Sequence, residues 1–366
     1  MAKTQDKTGA GDRADAPAGG NRRRRGSGGR VTSYDVARHA GVSQSAVSRC
    51  FQPGASVSQK TRDRVVQAAK ELGYYPNAMA RGLITQRSNL VAVIISELTN
   101  LYYPEVLFEL SHRFSDRGIR LLLFTIENES AVDDILAQVW QYRVDGVISA
   151  ARLTPEQIAD FEKQKVPLVF YNRAIADTPV NAVYCDNPEG VRTLVDGLYA
   201  AGARRFGLIS GPADSWIAKE RLESACAALT GLGAPEPCIV SGNFSYQCGY
   251  QGLEELIDRM GVPPDAVIAA NDTTAIGCID AARETYGLRV PHDLSVVGFD
   301  GIGPGRWSSY RLTTIRQPVR RMTEATVAMV MERIEKPDLP PEKRTFSGIK
   351  LEGQSARLGA RDDEPS

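Results

Sequence analysis

Residues 32–52 read TSYDVARHAGVSQSAVSRCFQ, and the rest of the chain is organised around them. Thr32 and Asp35 form a Thr-x-x-Asp capping box, in which the threonine oxygen takes an early amide proton and the carboxylate suits the positive helix end. Val36, Ala37 and Ala40 make a narrow apolar stripe at helical spacing. Gly41 supplies the positive φ that ends a helix at little cost. Ser43 can cap a second helix, with Val42 filling the crossing and Val47 on its inner face. Two short helices around a Gly-containing turn make a helix-turn-helix, whose second helix lies in the major groove of DNA. Gln44, Ser45, Ser48 and Arg49 fall on its other faces. Gln and Arg are the side chains that make bidentate contacts to adenine and guanine edges.

The next segments extend this unit. Pro53-Gly54 marks a turn, and Ser58 can cap a third helix over Gln59 to Leu72, with Val65, Val66, Ala69 and Leu72 as its apolar face. Tyr75 to Leu83 (YYPNAMARGL with Tyr74) follows, where Asn77 can cap a helix too short to be stable alone and weakened further by Gly82. From Val31 to Leu83, without a gap, the chain resembles the N-terminal headpiece of the LacI/GalR family of bacterial transcription regulators. The resemblance implies a DNA interface of Ser33, Tyr34, Gln44, Ser45, Ser48, Arg49, Asn77, Ala80 and Leu83. In that family two hinge helices pair in the minor groove, and each inserts a leucine as a kinking wedge; Leu83 is the matching residue. The alternative for Leu83 is packing against the body as part of a linker.

Composition narrows the class. With 42% hydrophobic and 24% charged residues in 366, the chain has the make-up of a globular protein of two or three units. There is no apolar run long enough to span a membrane and no apolar core of a signal peptide, so a cytoplasmic protein is expected. The six cysteines are scattered without a Cys-x-x-Cys pair, and the three histidines lack metal-ligand spacing, so no disulfide framework, metal or cofactor is expected. Net charge is zero, yet residues 1–89 carry sixteen Lys/Arg against six Asp/Glu, which leaves the remainder at −10. A basic head on an acidic body fits a head that meets phosphates. Residues 1–30 lack large apolar side chains and are expected to be a disordered tail, in which Arg22 to Arg25 serve as phosphate contacts or only as a solubilising run.

From Leu90 the periodicity changes. Short apolar runs at 90–95, 119–126, 145–150, 167–172, 206–210, 238–242, 266–272 and 294–300 alternate with helical patterns such as Pro104 to Arg117, Ser130 to Tyr142 and Pro188 to Ala201. Alternating strands and helices imply parallel sheets covered on both faces, and two similar halves in tandem imply two Rossmann-like lobes with a cleft between them. The fold expected is an all-α helix-turn-helix headpiece on an α/β periplasmic-binding-protein-like body. The resemblance continues through Asp186-Asn187, Gly211-Pro212, Ala270-Asn271-Asp272, Ser295 to Asp300 and Leu312 to Ile315 with Gln317-Pro318. It implies a headpiece over 31–75, a hinge over 76–89, lobe one over about 90–184 plus 318–358, and lobe two over about 185–317. A last helix over Val319 to Ile334 and a strand near Gly348 to Leu351 complete the body, with a polar tail from 359.

Ligands of doubly wound sheets sit beyond the strand carboxyl ends. Polar residues directly after apolar runs are therefore candidates: Asn172 and Arg173, Asn271 and Asp272, and Asp300. Arg221 matches the arginine of the family's Arg-x-x-Gly pattern, although Ser224 stands where the glycine belongs. Asp300, Asn271 and Arg221 suit hydroxyl groups, and Trp216, Phe244, Tyr102 or Tyr103 can supply apolar faces for a sugar ring. Asp272 has a second reading as a helix cap, and Arg173 as a structural partner of Asp186. Enzyme motifs are missing: Gly301-x-Gly303-x-Gly305 has its third glycine one position early for a dinucleotide loop, and there is no phosphate loop or nucleophile elbow. The expectation is a homodimeric or tetrameric regulator, not an enzyme. It would bind double-stranded operator DNA, most often as a repressor, under a small-molecule effector such as a sugar or sugar derivative. A solute-binding protein of the same two-lobed fold is the alternative.

Overall fold

The computed structural model describes residues 30–52, 54–76, 87–96, 100–126, 132–173, 175 and 178–359. The chain divides into two units, 1–78 and 79–366. The hinge residues Asn77, Ala80 and Leu83 lie outside the described residues, as does the tail before Arg30.

In the first unit, α1 (Ser33–Ala40), α2 (Gln44–Cys50) and α3 (Gln59–Leu72) start and stop where their caps dictate. The Thr32 amide and hydroxyl both donate to Asp35 Oδ2, at 3.0 and 2.7 Å. Ser43 Oγ accepts from the Ala46 amide at 3.2 Å, and Ser58 Oγ from Thr61 at 3.3 Å. Gly41 and Gly73 close α1 and α3 at φ 62° and 64°. Val36, Ala37, Val47, Cys50, Val65, Ala68 and Ala69 make a small core, flanked by Val42, Phe51, Leu72 and Tyr74. One expectation is corrected: Val66 is 48% exposed, and Ala68 takes its place. Positions 65, 68, 69 and 72 recur at helical spacing on one face, whereas 66 is turned about 100° away from 65.

The second unit is built on two sheets. The first holds β1 (Leu90–Ser96), β2 (Arg120–Ile126), β3 (Gly146–Ser149), β4 (Leu168–Tyr171), β5 (Asn181–Cys185) and β11 (Lys343–Phe346). The second holds β6 (Phe206–Ile209), β7 (Cys238–Val240), β8 (Ala266–Ala269), β9 (Ser295–Asp300), β10 (Thr313–Arg316) and β12 (Ile349–Leu351). Their orders are β11-β5-β4-β3-β1-β2 and β12-β10-β9-β8-β6-β7, so the two lobes repeat one doubly wound pattern. Pairing is parallel throughout except for β12, which runs antiparallel to β10. The central strands β3, β4, β6, β8 and β9 are buried along their whole length, which is why they read as unbroken apolar runs.

Helices α4 (Tyr103–Ser115), α5 (Val132–Gln141), α6 (Pro155–Gln164) and α11 (Val319–Glu335) belong to the first lobe. Helices α7 (Asn187–Ala200), α8 (Trp216–Gly231), α9 (Tyr246–Met260) and α10 (Asp272–Glu284) belong to the second. The closest helix pair is α9 with α10: a Cβ on Gly249 would stand 1.9 Å from the Thr274 carbonyl oxygen, and one on Gly277 2.0 Å from that of Tyr246. Only glycine permits backbones to meet this closely.

The chain passes between sheets three times, after Cys185, Arg316 and Phe346. The third passage corrects the expected lobe boundary, which placed all of 318–358 in lobe one. Ile349–Leu351 pairs with Thr314–Arg316 of the second sheet. The buried Ser355 then receives the Thr313 amide at 2.9 Å and donates to the Val296 carbonyl at 2.6 Å. Backbone hydrogen bonding thus returns the last described segment to lobe two.

Candidate functional site

In the first unit the candidate readers lie opposite the core. Val47 and Cys50 are buried, while Ser45 and Arg49 are exposed. Gln44 and Ser48 are half-buried, and Gln44 Nε2 donates to Ser33 Oγ at 3.3 Å across the two helices. Tyr34 is 67% exposed. Arg62 of α3 donates to the Cys50 carbonyl at 2.7 Å and to that of Ala55 at 3.3 Å, so α2 and its following loop are tied to the third helix. No sequence pattern pointed to Arg62.

In the second unit a cavity of ≈ 170 Å³ lies beyond the carboxyl ends of the strands of both sheets. Tyr102, Tyr103 and Asn172 line it from lobe one, and Arg221, Phe244 and Asp300 from lobe two. Two other candidates do not line it. Trp216 packs edge-on against Tyr184, with ring centroids 5.5 Å apart. Asn271 spends both ends of its amide on structure: Oδ1 caps α10 by accepting from Thr274 at 2.9 Å, and Nδ2 donates to the Phe244 carbonyl at 3.1 Å. It positions Phe244 from behind.

The wall is charged and dry. Arg221 Nη2 donates to Asp300 Oδ1 at 2.9 Å, with 5% and 4% of the two side chains exposed. Nε of Arg221 donates to Asn187 Oδ1 at 2.9 Å and Nη1 to the Ala270 carbonyl at 2.7 Å. Its guanidinium lies 3.8 Å above the Phe299 ring, a cation–π contact. Gln317, fully buried, donates Nε2 to the same Asp300 oxygen at 2.8 Å. That fixes the amide orientation, so Gln317 Oε1 accepts from Tyr102 OH at 3.1 Å. The Tyr102 proton is then spent, and Tyr171 OH must donate to Tyr102, 3.0 Å away. One directional chain therefore runs from lobe one, through the second inter-lobe passage, to Asp300 and Arg221 of lobe two.

Burial raises the Asp300 carboxyl above its ordinary range, opposed by Arg221 and Gln317. Behind it Asp272 is fully buried and is pushed up to about 8, first by burial and then by the Asp300 charge. Asp272 accepts from Thr314 Oγ1 at 2.5 Å and from the Ile302 amide at 2.8 Å. Its work is holding the β9 exit loop and β10, not capping α10.

Backbone strain gathers at the same place. Asn172, Phe244 and Asp300 have φ of 51°, 64° and 116°, left-handed values that favour glycine. Asn172 Oδ1 is buried with no hydrogen-bond partner among the described residues. Arg152, Asn100, Asp214 and Arg173 also line the cavity. Arg152 follows β3 and fits the same polar-after-strand rule that identified Asn172. Gln317 escaped it because Thr313–Arg316 does not read as an apolar strand.

Among the described residues no helix is long and apolar enough to cross a membrane. A model of the lacI family of bacterial regulatory proteins matches residues 32–77, and one of a periplasmic binding protein-like domain matches 195–355. The HTH-type transcriptional regulator AscG of Escherichia coli (strain K12) is 30% identical over 325 residues, which cover 87% of this chain and 96% of that protein. The ribose operon repressor of Escherichia coli (strain K12) is 31% identical over 331 residues, 89% of this chain and all of its own length. A crystal structure of the lac repressor dimer bound to operator and the anti-inducer ONPF superimposes with a TM-score of 0.80 at 28% identity, covering 89% of this chain and 98% of that one.

Proposed function

The chain belongs to the lacI family of bacterial regulatory proteins, and from that premise we propose a dimeric repressor whose hold on an operator is set by a small polyhydroxylated effector between its two lobes. It reads base edges with Gln44, Ser45 and Arg49, while Ser33, Tyr34 and Ser48 contact the backbone nearby. Two copies on a symmetric operator supply the affinity that one short reading helix lacks. Such a protein acts in the cytoplasm, where the DNA is.

The observation that supports the effector reading is the buried Arg221–Asp300 pair, which lines the same cavity as Asn172, whose Oδ1 has no hydrogen-bond partner among the described residues. Arg221 has five N–H donors, and the bonds to Asn187, Ala270 and Asp300 use one each. Asp300 takes both of its bonds on Oδ1, leaving Oδ2 without one among the described residues. Paired donors and acceptors of this kind suit vicinal hydroxyls, and Phe244 offers a ring face. A sugar or sugar derivative is the effector class proposed. Because the lining comes from both lobes, an effector stabilises one lobe–lobe angle over another, and the difference in its affinity for the two states sets the population shift. The hinge proposed over 76–89 converts that angle into the spacing of the reading units.

The test is fluorescence anisotropy on duplex DNA from the promoter region of the chain's own gene, with a salt titration and a panel of monosaccharides and sugar acids. A steep salt dependence and a change in affinity with one sugar are expected. Salt-insensitive or absent duplex binding would overturn the reading.

A further inference from the structure

At the opposite end of lobe one, beneath the amino ends of β1, β3 and β4, two further cavities of ≈ 510 and ≈ 360 Å³ share a wall. Lys165, Val166, Pro167, Arg333 and Pro337 line both. Neither shares a lining residue with the cavity between the lobes.

Arg333 is the unusual group there. It is 5% exposed, yet its charge is poorly matched. Nε and Nη2 donate to neutral oxygens, Asn181 Oδ1 at 3.1 Å and the Pro340 carbonyl at 3.0 Å. The carboxylates of Glu332 and Glu342 stand 4.0 and 3.9 Å away and are bound instead by Arg344, at 3.1 and 2.8 Å. Arg333 thus shares both of its carboxylate neighbours with a second, closer cation, and its buried charge is only partly offset. Arg87, Arg143 and Lys165 add three more cations around the smaller cavity. Its one acidic lining residue, Asp145, already accepts from the Ser88 amide and hydroxyl and the Asn89 amide at 2.8–3.0 Å.

A second observation is independent of charge. Arg143 and Lys165 have φ of 49° and 55°, just past the ends of α5 and α6. Glycine is the favoured residue at such helix ends. A cation suits the negative end of a helix, but that alone does not call for a side chain in this backbone conformation. Both strained positions carry cations facing one cavity. The larger chamber is mixed, lined by the exposed Glu162 and Asp338 and by the buried apolar side chains of Phe161, Leu168 and Phe170.

We propose that these adjoining cavities bind a small molecule with a phosphate end and an apolar body, the phosphate held by Arg333, Lys165 and Arg143. Guanidinium groups match phosphate oxygens geometrically, and several cations suit a dianion. The body would lie in the larger chamber. Arg87 lies within the 76–89 stretch proposed as the hinge, three residues before β1, so occupation of this site touches the end of that stretch remote from the cleft.

Calorimetric titration of the full-length protein in chloride buffer tests this, with phenyl phosphate as the probe and inorganic phosphate and phenol as comparisons. Phenyl phosphate should bind, more tightly than inorganic phosphate, and phenol should not. Equal affinity for the two phosphates would overturn the apolar half of the assignment, and no binding at millimolar concentration would overturn it all. The double variant Arg143→Gly with Lys165→Gly should weaken phenyl phosphate by about tenfold or more. Its thermal midpoint should not fall, because glycine relieves both backbones. Unchanged affinity in that variant would place the anion elsewhere and sink the proposal. The pair Arg143→Gln with Lys165→Gln, which keeps the side-chain bulk, gives the same readout should the glycines loosen the helix ends.

Discussion

Arg221 and Asp300 face each other at 2.9 Å with almost no solvent on either, and both line the inter-lobe cavity. Removing one partner of a buried pair strands the other's charge, at a cost of about 3–5 kcal/mol. Asp300→Ala should therefore lower the urea midpoint strongly, whereas Asp300→Asn, which keeps the shape and an acceptor oxygen, should lower it less. Both should abolish the response of operator binding to sugar. A variant that folds and still responds would move the effector elsewhere.

The Tyr102–Gln317–Asp300 chain makes a narrower prediction. Tyr102→Phe leaves Gln317 Oε1 without its donor and Tyr171 OH without its acceptor, inside a buried network. A loss of about 1–3 kcal/mol in stability is expected. Operator affinity without effector should change little, while the effector concentration needed for half response should rise. Equal changes in both would mean the hydroxyl serves only the fold.

Asp272 makes stability depend on pH. Its folded-state pKa of about 8 lies above the ordinary 3.8, so folding takes up a proton between those values. The contribution is present in full below about pH 4 and is lost as pH rises toward 8, since the native state then binds more protons than the unfolded one. Burial raises Asp300 in the same direction. Thermal midpoints should fall from pH 5.5 to 8, and Asp272→Asn should flatten that slope. A wild-type midpoint that rises over this window would contradict the assignment.

On the reading helix, Arg49→Ala should cost about 1–3 kcal/mol of discrimination between operator and mutated operator if Arg49 contacts a base. Gln44 has a hydrogen bond to release from Ser33 first. Gln44→Ala is expected to have the smaller effect in competition binding. An equal loss on every sequence would reduce Arg49 to a phosphate contact.

Gly277→Ala tests the close packing of α9 on α10 in lobe two. The added Cβ meets the Tyr246 carbonyl oxygen at 2.0 Å, with no flexible side chain able to yield. Overpacking of about 1–3 kcal/mol is expected, read in urea. A neutral result would show that α9 and α10 can part freely.

What could be read from residues alone followed physical legibility. The caps at Thr32, Ser43 and Ser58 are local chemistry, and helices began there. Buried central strands announce themselves as apolar runs. By contrast β10 (TTIR) and β11 (KRTF) are short and mostly polar, and β12 (IKL), though expected as a strand, is too short to show which sheet it joins, so the stretch from 349 was placed in lobe one. The rule that ligands sit after strands singled out Asn172 and Asp300, both of which line the cavity, but it does not say where a side chain points. Asn271 follows a strand as they do and turns back to cap a helix. Gln317 was quoted as part of a recurring segment, yet its two partners lie 17 and 215 residues away along the chain.

The third passage between the sheets bears on how the protein is made. Strand β11 covers the β5 edge of the first sheet, and β12 the β10 edge of the second, only after residue 342. During synthesis the β5 and β10 edges stay unpaired until residues 343–351 have left the ribosome, even though the N-terminal unit carries its own core. Open edges invite pairing with other chains. A polypeptide interrupted before Lys343 would thus emerge with a small three-helix core and two unfinished sheets, marked for capture by chaperones or proteases.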